Sequence, residues 1–251
     1  QDAVAARCLS AGVEHVIVNG MNPSTNRQTL DMCARHAHLL PALGIYPLDA
    51  AANVITPEAW DHDFPPPAPF DVDAEVAFID RLAAEGAIVA IGEVGLDKHY
   101  LKDDASMAEQ ERVLRLLCRV SVARDLPLIL HSRKAEARTF ELLQEEGVTR
   151  AMMHCFCGKL KLAKRIAAAG YYISIPSVVE RSESFQRLAA EVPLDRLMTE
   201  TDAPFQSPDH GGRNDPSTVP RGVAAMARAR GLPPAEVARA VRENFRELFR
   251  R

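Results

Sequence analysis

Apolar residues come in short continuous runs separated by amphipathic segments, and this rhythm persists from one end of the chain to the other. The runs predict strands at 15–20, 39–45, 88–94, 128–131, 151–154, 171–175 and 197–201. Between them the apolar positions change to a helical spacing. Val113, Leu116, Leu117 and Val120 follow the i, i+3, i+4, i+7 rule after Ser106, and Leu162, Ile166 and Ala169 repeat it after Gly158. Gly12, Gly86, Gly147, Gly170 and Gly231 stand where several helices should stop, as left-handed C-terminal caps.

Because the strand runs are continuous rather than alternating, each strand should be covered on both faces, as in a parallel sheet flanked by helices. Such alternation fits a (β/α)8 barrel or a doubly wound sheet. The barrel is favoured because Asn19, Tyr46, Glu93, His131, His154 and Asp202 all stand at C-terminal strand ends. A barrel gathers those ends on one face. Seven strands are legible, and the chain opens with a helical segment at 2–11, the element that should follow a first strand. The expectation is an α/β fold, a TIM (β/α)8 barrel whose first strand is missing from this chain. Segment 48–71, with Pro57, Pro65, Pro66, Pro67 and Pro69, is expected to overhang the catalytic face as a loop. The βα rhythm resumes after it, so residues 1–251 are read as one domain.

Composition narrows the function classes. A net charge of −4 and a pI of about 6.1 argue against nucleic acid held by a broad basic face. Any phosphate must then be handled by metal ions or a few local arginines. No apolar stretch approaches the roughly 18 residues of a membrane span. The five cysteines, Cys8, Cys33, Cys118, Cys155 and Cys157, are odd in number and lack C-x-x-C spacing. Free thiols in a reducing, cytoplasmic compartment are expected, with no signal peptide and no membrane partner.

The strand-end residues carry the candidate chemistry. Glu93 lies in Ile91-Gly92-Glu93-Val94-Gly95-Leu96-Asp97. A carboxylate closing a buried apolar strand needs an arginine partner or a metal. His131 ends Leu128-Ile129-Leu130 and His154 ends Met152-Met153. Each alone reads as a hydrogen-bonded core histidine. Two on successive strands, with Glu93 on the strand before, suit zinc, manganese or iron with positions left for water. Asp202, in Glu200-Thr201-Asp202-Ala203-Pro204, reads as a turn residue or as a ligand and base for water. Arg133 and Arg213 have the planar fork that clamps phosphate, and Asn214 adds a polar group beside them.

These motifs, with His131-Ser132-Arg133, His154-Cys155-Phe156 and Arg213-Asn214-Asp215-Pro216, resemble the TatD family in order over nearly the whole chain. The resemblance implies a metal-dependent hydrolase of the amidohydrolase-like barrel superfamily, a deoxyribonuclease of 3′→5′ exonuclease type. It also implies two divalent ions (Mg²⁺, Mn²⁺ or Zn²⁺), with Glu93 bridging them and His131 and His154 on one. Asp202 would bind the other and help activate the attacking water. The implied substrate is DNA, single-stranded or with a free 3′ end, met by Arg133, Tyr46, Arg213 and Asn214.

Two features depart from the family pattern. The His-x-His pair of its first strand has no counterpart at a strand end, since His36-Ala37-His38 precedes a strand and belongs to the opposite face. Tyr46 stands where the family commonly has a histidine associated with substrate phosphate. A phenol can hydrogen-bond phosphate, stack on a base, or pack under the proline-rich loop. Amide or ester hydrolysis, and a non-catalytic barrel that binds DNA or protein, are the competing readings.

Overall fold

The computed structural model describes residues 2–250. In chain order its main elements are α1 (Asp2–Ser10), β1 (Val16–Asn19), α2 (Pro23–Arg35), β2 (Leu39–Leu43), α3 (Pro47–Ala50), α4 (Val72–Ala84), β3 (Ala90–Asp97) and α5 (Asp104–Arg124). There follow β4 (Leu128–Arg133), α6 (Glu136–Glu145), β5 (Ala151–Met153), α7 (Leu160–Ala168), β6 (Tyr172–Pro176), α8 (Glu183–Glu191), β7 (Leu197–Glu200), α9 (Val219–Arg230) and α10 (Pro234–Phe249). Every predicted strand is present among the described residues. The chain divides into two compact units, Ile17–Ala151 and the described residues outside it.

In the unit Ile17–Ala151, β2, β3 and β4 pair in parallel in chain order. Helix starts follow local chemistry. Asn22 caps α2 through a capping box with Thr25, Asp71 caps α4 at Ala74 N, and Asp103 caps α5 at Ser106 N. Helix α5 buries Val113, Leu114, Leu117, Cys118 and Ser121, a stripe at helical spacing. The other unit has β5, β6 and β7 in parallel. Arg7 on α1 donates to Asp215 at 3.0 and 2.7 Å, and His15 stacks on Phe245 of α10 at 5.6 Å. Helix α9 stops at Gly231, whose φ of 67° and N–H bonds to Ala227 and Arg228 make the expected left-handed cap.

Two expectations change. Segment 48–71 is not wholly irregular: it continues α3 and holds a 3₁₀ turn at Pro57–Ala59. It is anchored by a small apolar cluster of Leu48, Ala51 and Leu101, against which Tyr46, Trp60 and Tyr100 pack. Strand β3 does not end near Glu93 but runs on to Asp97. Its pairing with β4 steps from Ile91↔Leu128 to Val94↔Leu130, so Gly92 and Glu93 oppose the single residue Ile129. That is a bulge, which bends a strand and re-aims its side chains.

Candidate metal centre

In the unit Ile17–Ala151 the bulge sets up an arrangement around one imidazole. Past it, Gly95 pairs with His131, and Glu93 and Asp97 lie two residues to either side on β3. His131 Nδ1 stands 3.2 Å from Glu93 Oε1, and its Nε2 stands 3.0 Å from Asp97 Oδ2. Gly95 makes this approach possible. Its φ is 145°, and a Cβ there would overlap the His131 carbonyl oxygen. Gly44 is similarly required, since its Cβ would overlap the Glu93 backbone.

Asp97 is fully buried and accepts from the backbone N–H of His99 (2.7 Å) and Tyr100 (2.9 Å). Burial raises its pKa, but the His131 bond and these two N–H groups outweigh that and hold it below the ordinary carboxylate value. An ionised Asp97 therefore fixes a proton on Nε2 and turns the Nδ1 lone pair toward Glu93. Tyr46 lies edge-on to His131, with ring centroids 4.8 Å apart and Oη 3.5 Å from Nε2. Burial first, then the charges of Glu93 and Asp97, push its phenol far above its usual range, so it stays protonated.

The other unit repeats the device. His154 follows β5 directly, and its Nδ1 stands 3.3 Å from Glu200 Oε2 at the end of β7. Glu200 is steadied by the buried Ser174 hydroxyl, which donates to it at 2.5 Å, while Cys155 N–H donates to the same hydroxyl oxygen at 3.2 Å. The Cys157 hydrogen bond, burial, and the charges of Glu200 and Asp202 push the Cys155 thiol far up. Asp202 takes φ 54°, the left-handed region, immediately after β7. Its loop is braced by buried Asn214, whose amide donates to Thr201 O (2.7 Å) and Gln206 O (3.2 Å). Asn214 Oδ1 accepts from Asp215 N and Thr218 Oγ1. Arg213 beside it is exposed, as is Arg133, whose guanidinium lies 5.0 Å from the Tyr100 ring centroid.

The donor chemistry suits a divalent cation, with carboxylate oxygens and imidazoles fixed by second carboxylates. Each unit also holds a buried oxygen acceptor with no hydrogen-bond partner, Asn19 Oδ1 in one and Glu200 Oε1 in the other. Burying such acceptors unmet costs about 1–3 kcal/mol apiece, a cost that a bound cation would offset. The carboxylates that hold the imidazoles, Asp97 and Glu200, were not singled out by the sequence reading. Their signal was a second acid at a fixed step from each motif, Asp97 four residues after Glu93 and Glu200 two before Asp202.

Carboxylate-braced histidines at the ends of parallel strands alternating with helices define a metal-dependent hydrolase built on a TIM-like barrel pattern. The sequence model described as "TatD related DNase" matches residues 1–250, across both units. The chain belongs to the TatD family. It is 30% identical over 255 residues to the uncharacterized metal-dependent hydrolase YabD of Bacillus subtilis (strain 168), covering 99% of this chain and 92% of that protein. It is 29% identical over 260 residues to the 3′-5′ ssDNA/RNA exonuclease TatD of Salmonella typhimurium, covering 99% and 92%. The crystal structure of YJJV, a TatD homologue from Escherichia coli K12, superposes with a TM-score of 0.84 at 26% identity, covering 100% of this chain and 92% of that one. The fold is thus a TIM-like barrel pattern with seven strands among the described residues, one fewer than eight.

Proposed function

We propose that this protein is a divalent-metal-dependent deoxyribonuclease that hydrolyses phosphodiester bonds from the free 3′ end of a single strand, with residues 1–251 acting as one hydrolase domain. The observation that carries the reading is His131 held between Glu93 and Asp97, in a chain whose relatives include a named 3′-5′ ssDNA/RNA exonuclease. By the family resemblance, Glu93, His131 and His154 would serve one cation, and Asp202 with Glu93 a second. Mg²⁺, Mn²⁺ or Zn²⁺ bound there would supply Lewis-acid activation of phosphate and water.

The chain's own residues do the rest. Asp97 keeps the proton of His131 on Nε2, and Glu200 orients the His154 ring. Asp202 accepts the proton of the attacking water. Arg133 and Arg213 hold the phosphate oxygens with planar forks. Tyr46, neutral at all working pH values, donates a hydrogen bond at the rim, and Asn214 holds the loop that carries Asp202 and Arg213.

The test is hydrolysis of an end-labelled single-stranded oligonucleotide with Mg²⁺ or Mn²⁺, against chelator, for the natural chain and for Glu93→Ala. Metal-dependent shortening from the 3′ end is expected, falling to background in Glu93→Ala while its circular dichroism is unchanged. Turnover that survives either chelation or the substitution overturns the reading.

A further inference from the structure

Beyond the metal-ligand residues, the unit Ile17–Ala151 carries a cluster of rings that the hydrolytic chemistry does not use. Trp60, His62 and Phe64 come from the proline-rich segment and Tyr100 from the turn after β3. Phe64 stacks on His62 at 5.4 Å with the planes 12° apart, and meets Trp60 and Tyr100 edge-on at 5.2 and 5.6 Å. His62 is edge-on to Tyr100 at 5.2 Å. Hydrogen bonds lock the rings in place: Trp60 Nε1 donates to Phe64 O at 2.7 Å, and His62 Nε2 donates to Tyr100 O at 3.0 Å. This order is unexpected for a loop that buries so little, because Phe64 is still 43% exposed. An exposed aromatic held rigid by its neighbours is a surface suited to a flat partner.

Two further observations say what that partner is. The first is charge. Arg133 reaches over the Tyr100 ring, and among the described residues no carboxylate pairs with its guanidinium. Desolvation, and then Arg133 and Lys134, hold the His99 imidazole below its ordinary value against the opposing charge of Asp97, so Arg133 is a local cation beside rings whose own segment also carries the exposed Asp61 and Asp63. The second is position. Trp60 and Tyr100 pack on the same Leu48, Ala51 and Leu101 cluster as Tyr46, whose ring lies 4.8 Å from His131. Aromatic faces next to the Arg133 guanidinium, one side chain from the candidate metal ligands, match the two halves of a nucleotide.

We infer that Trp60, His62, Phe64 and Tyr100 form a stacking shelf for a nucleobase of the substrate strand, with Arg133 on the adjoining phosphate. The inference rests on the nuclease reading above and names where a base is held. Stacking is sequence-tolerant, since every base has a π-face, so the shelf would accept purines and pyrimidines alike.

Trp60 is the single tryptophan of the chain, which makes its fluorescence a direct probe. Titration with deoxyadenosine monophosphate in the presence of Mg²⁺ should give a saturable change, and deoxyribose phosphate none over the same range. Phe64→Ala should weaken the nucleotide about tenfold, and Phe64→Tyr should restore it. An equal response to both ligands, or nucleotide affinity unmoved by Phe64→Ala, overturns the shelf. On oligonucleotides, the kcat/KM ratio of a base-bearing end to an abasic end should fall about tenfold in Phe64→Ala. A natural chain that hydrolyses neither strand yet binds the nucleotide at Trp60 defeats the nuclease reading and upholds the shelf.

Discussion

His131 has a carboxylate at each ring nitrogen, and the two carboxylates do different work. Asp97 is fully buried, bonded to two backbone N–H groups, and held ionised, so it acts as a fixed acceptor. Replacing it with asparagine keeps shape and removes that property. An amide oxygen that keeps the backbone N–H bonds presents NH₂ to Nε2, which must then accept. The ring proton moves to Nδ1, the nitrogen 3.2 Å from Glu93, where it blocks ligation of a cation. Asp97→Asn should therefore lower divalent-metal affinity about 10- to 100-fold, the usual range for losing such a support. Isothermal titration of the metal measures it, and unchanged affinity would show that Nδ1 is not the ligating atom.

At the level of elements, helices α5 and α6 are joined by guanidinium–carboxylate pairs. Arg138 donates to both Glu111 oxygens, at 2.8 and 2.7 Å, and to Glu145 at 2.7 Å. The Arg138 hydrogen bonds, against a smaller effect of burial, hold Glu111 below the ordinary glutamate value. A carboxylate depressed in the folded state stabilises above its unfolded pKa, and that contribution disappears as pH falls through the folded value. Both groups are partly solvated, so screening keeps the pair near 0.5 kcal/mol, roughly the middle of the range for such bridges. Urea unfolding at neutral and at strongly acid pH should show the natural chain losing about that much more stability than Glu111→Gln. Identical losses would remove the pair from the account.

The same scale shows what was legible in the sequence. Strands β1 to β7 were visible because a sheet buried on both faces writes each strand as an unbroken apolar run. The end of β3 was hidden because Gly95 and Asp97 interrupt its run, for the purpose of seating His131. The bulge at Gly92 and Glu93 was hidden for a different reason: register is a relation between two strands, and neither strand carries it alone. Glu93, His131, His154 and Asp202 were recognisable as isolated polar residues closing apolar runs. Asp97, Glu200 and Ser174 act through those residues, and a sequence shows what breaks its pattern more readily than what supports the break. The ring cluster of Trp60, His62 and Phe64 lay in a segment read only by its prolines.

For the whole molecule, charge sets how a polyanion can be held. The net charge is −4, so the distant field of the protein repels nucleic acid, and attraction must come from a few groups close to the strand. If Arg133 and Arg213 are the arginines that meet phosphate, each releases condensed counterions. Two single-strand contacts at about 0.7 each predict a slope of about −1.4 for log affinity against log salt concentration. Binding of a short single strand, followed by anisotropy over roughly 0.05–0.3 M KCl at fixed Mg²⁺, measures it within the range where such slopes are read. Arg133→Ala should make the slope shallower by about 0.7 and weaken all sequences alike, because phosphate contacts carry no base information. A natural-chain slope near −5 would require about seven neutralised phosphates and hence a basic track, which the acidic balance of this chain argues against. A slope near zero would mean that stacking and the metal hold the strand without the arginines.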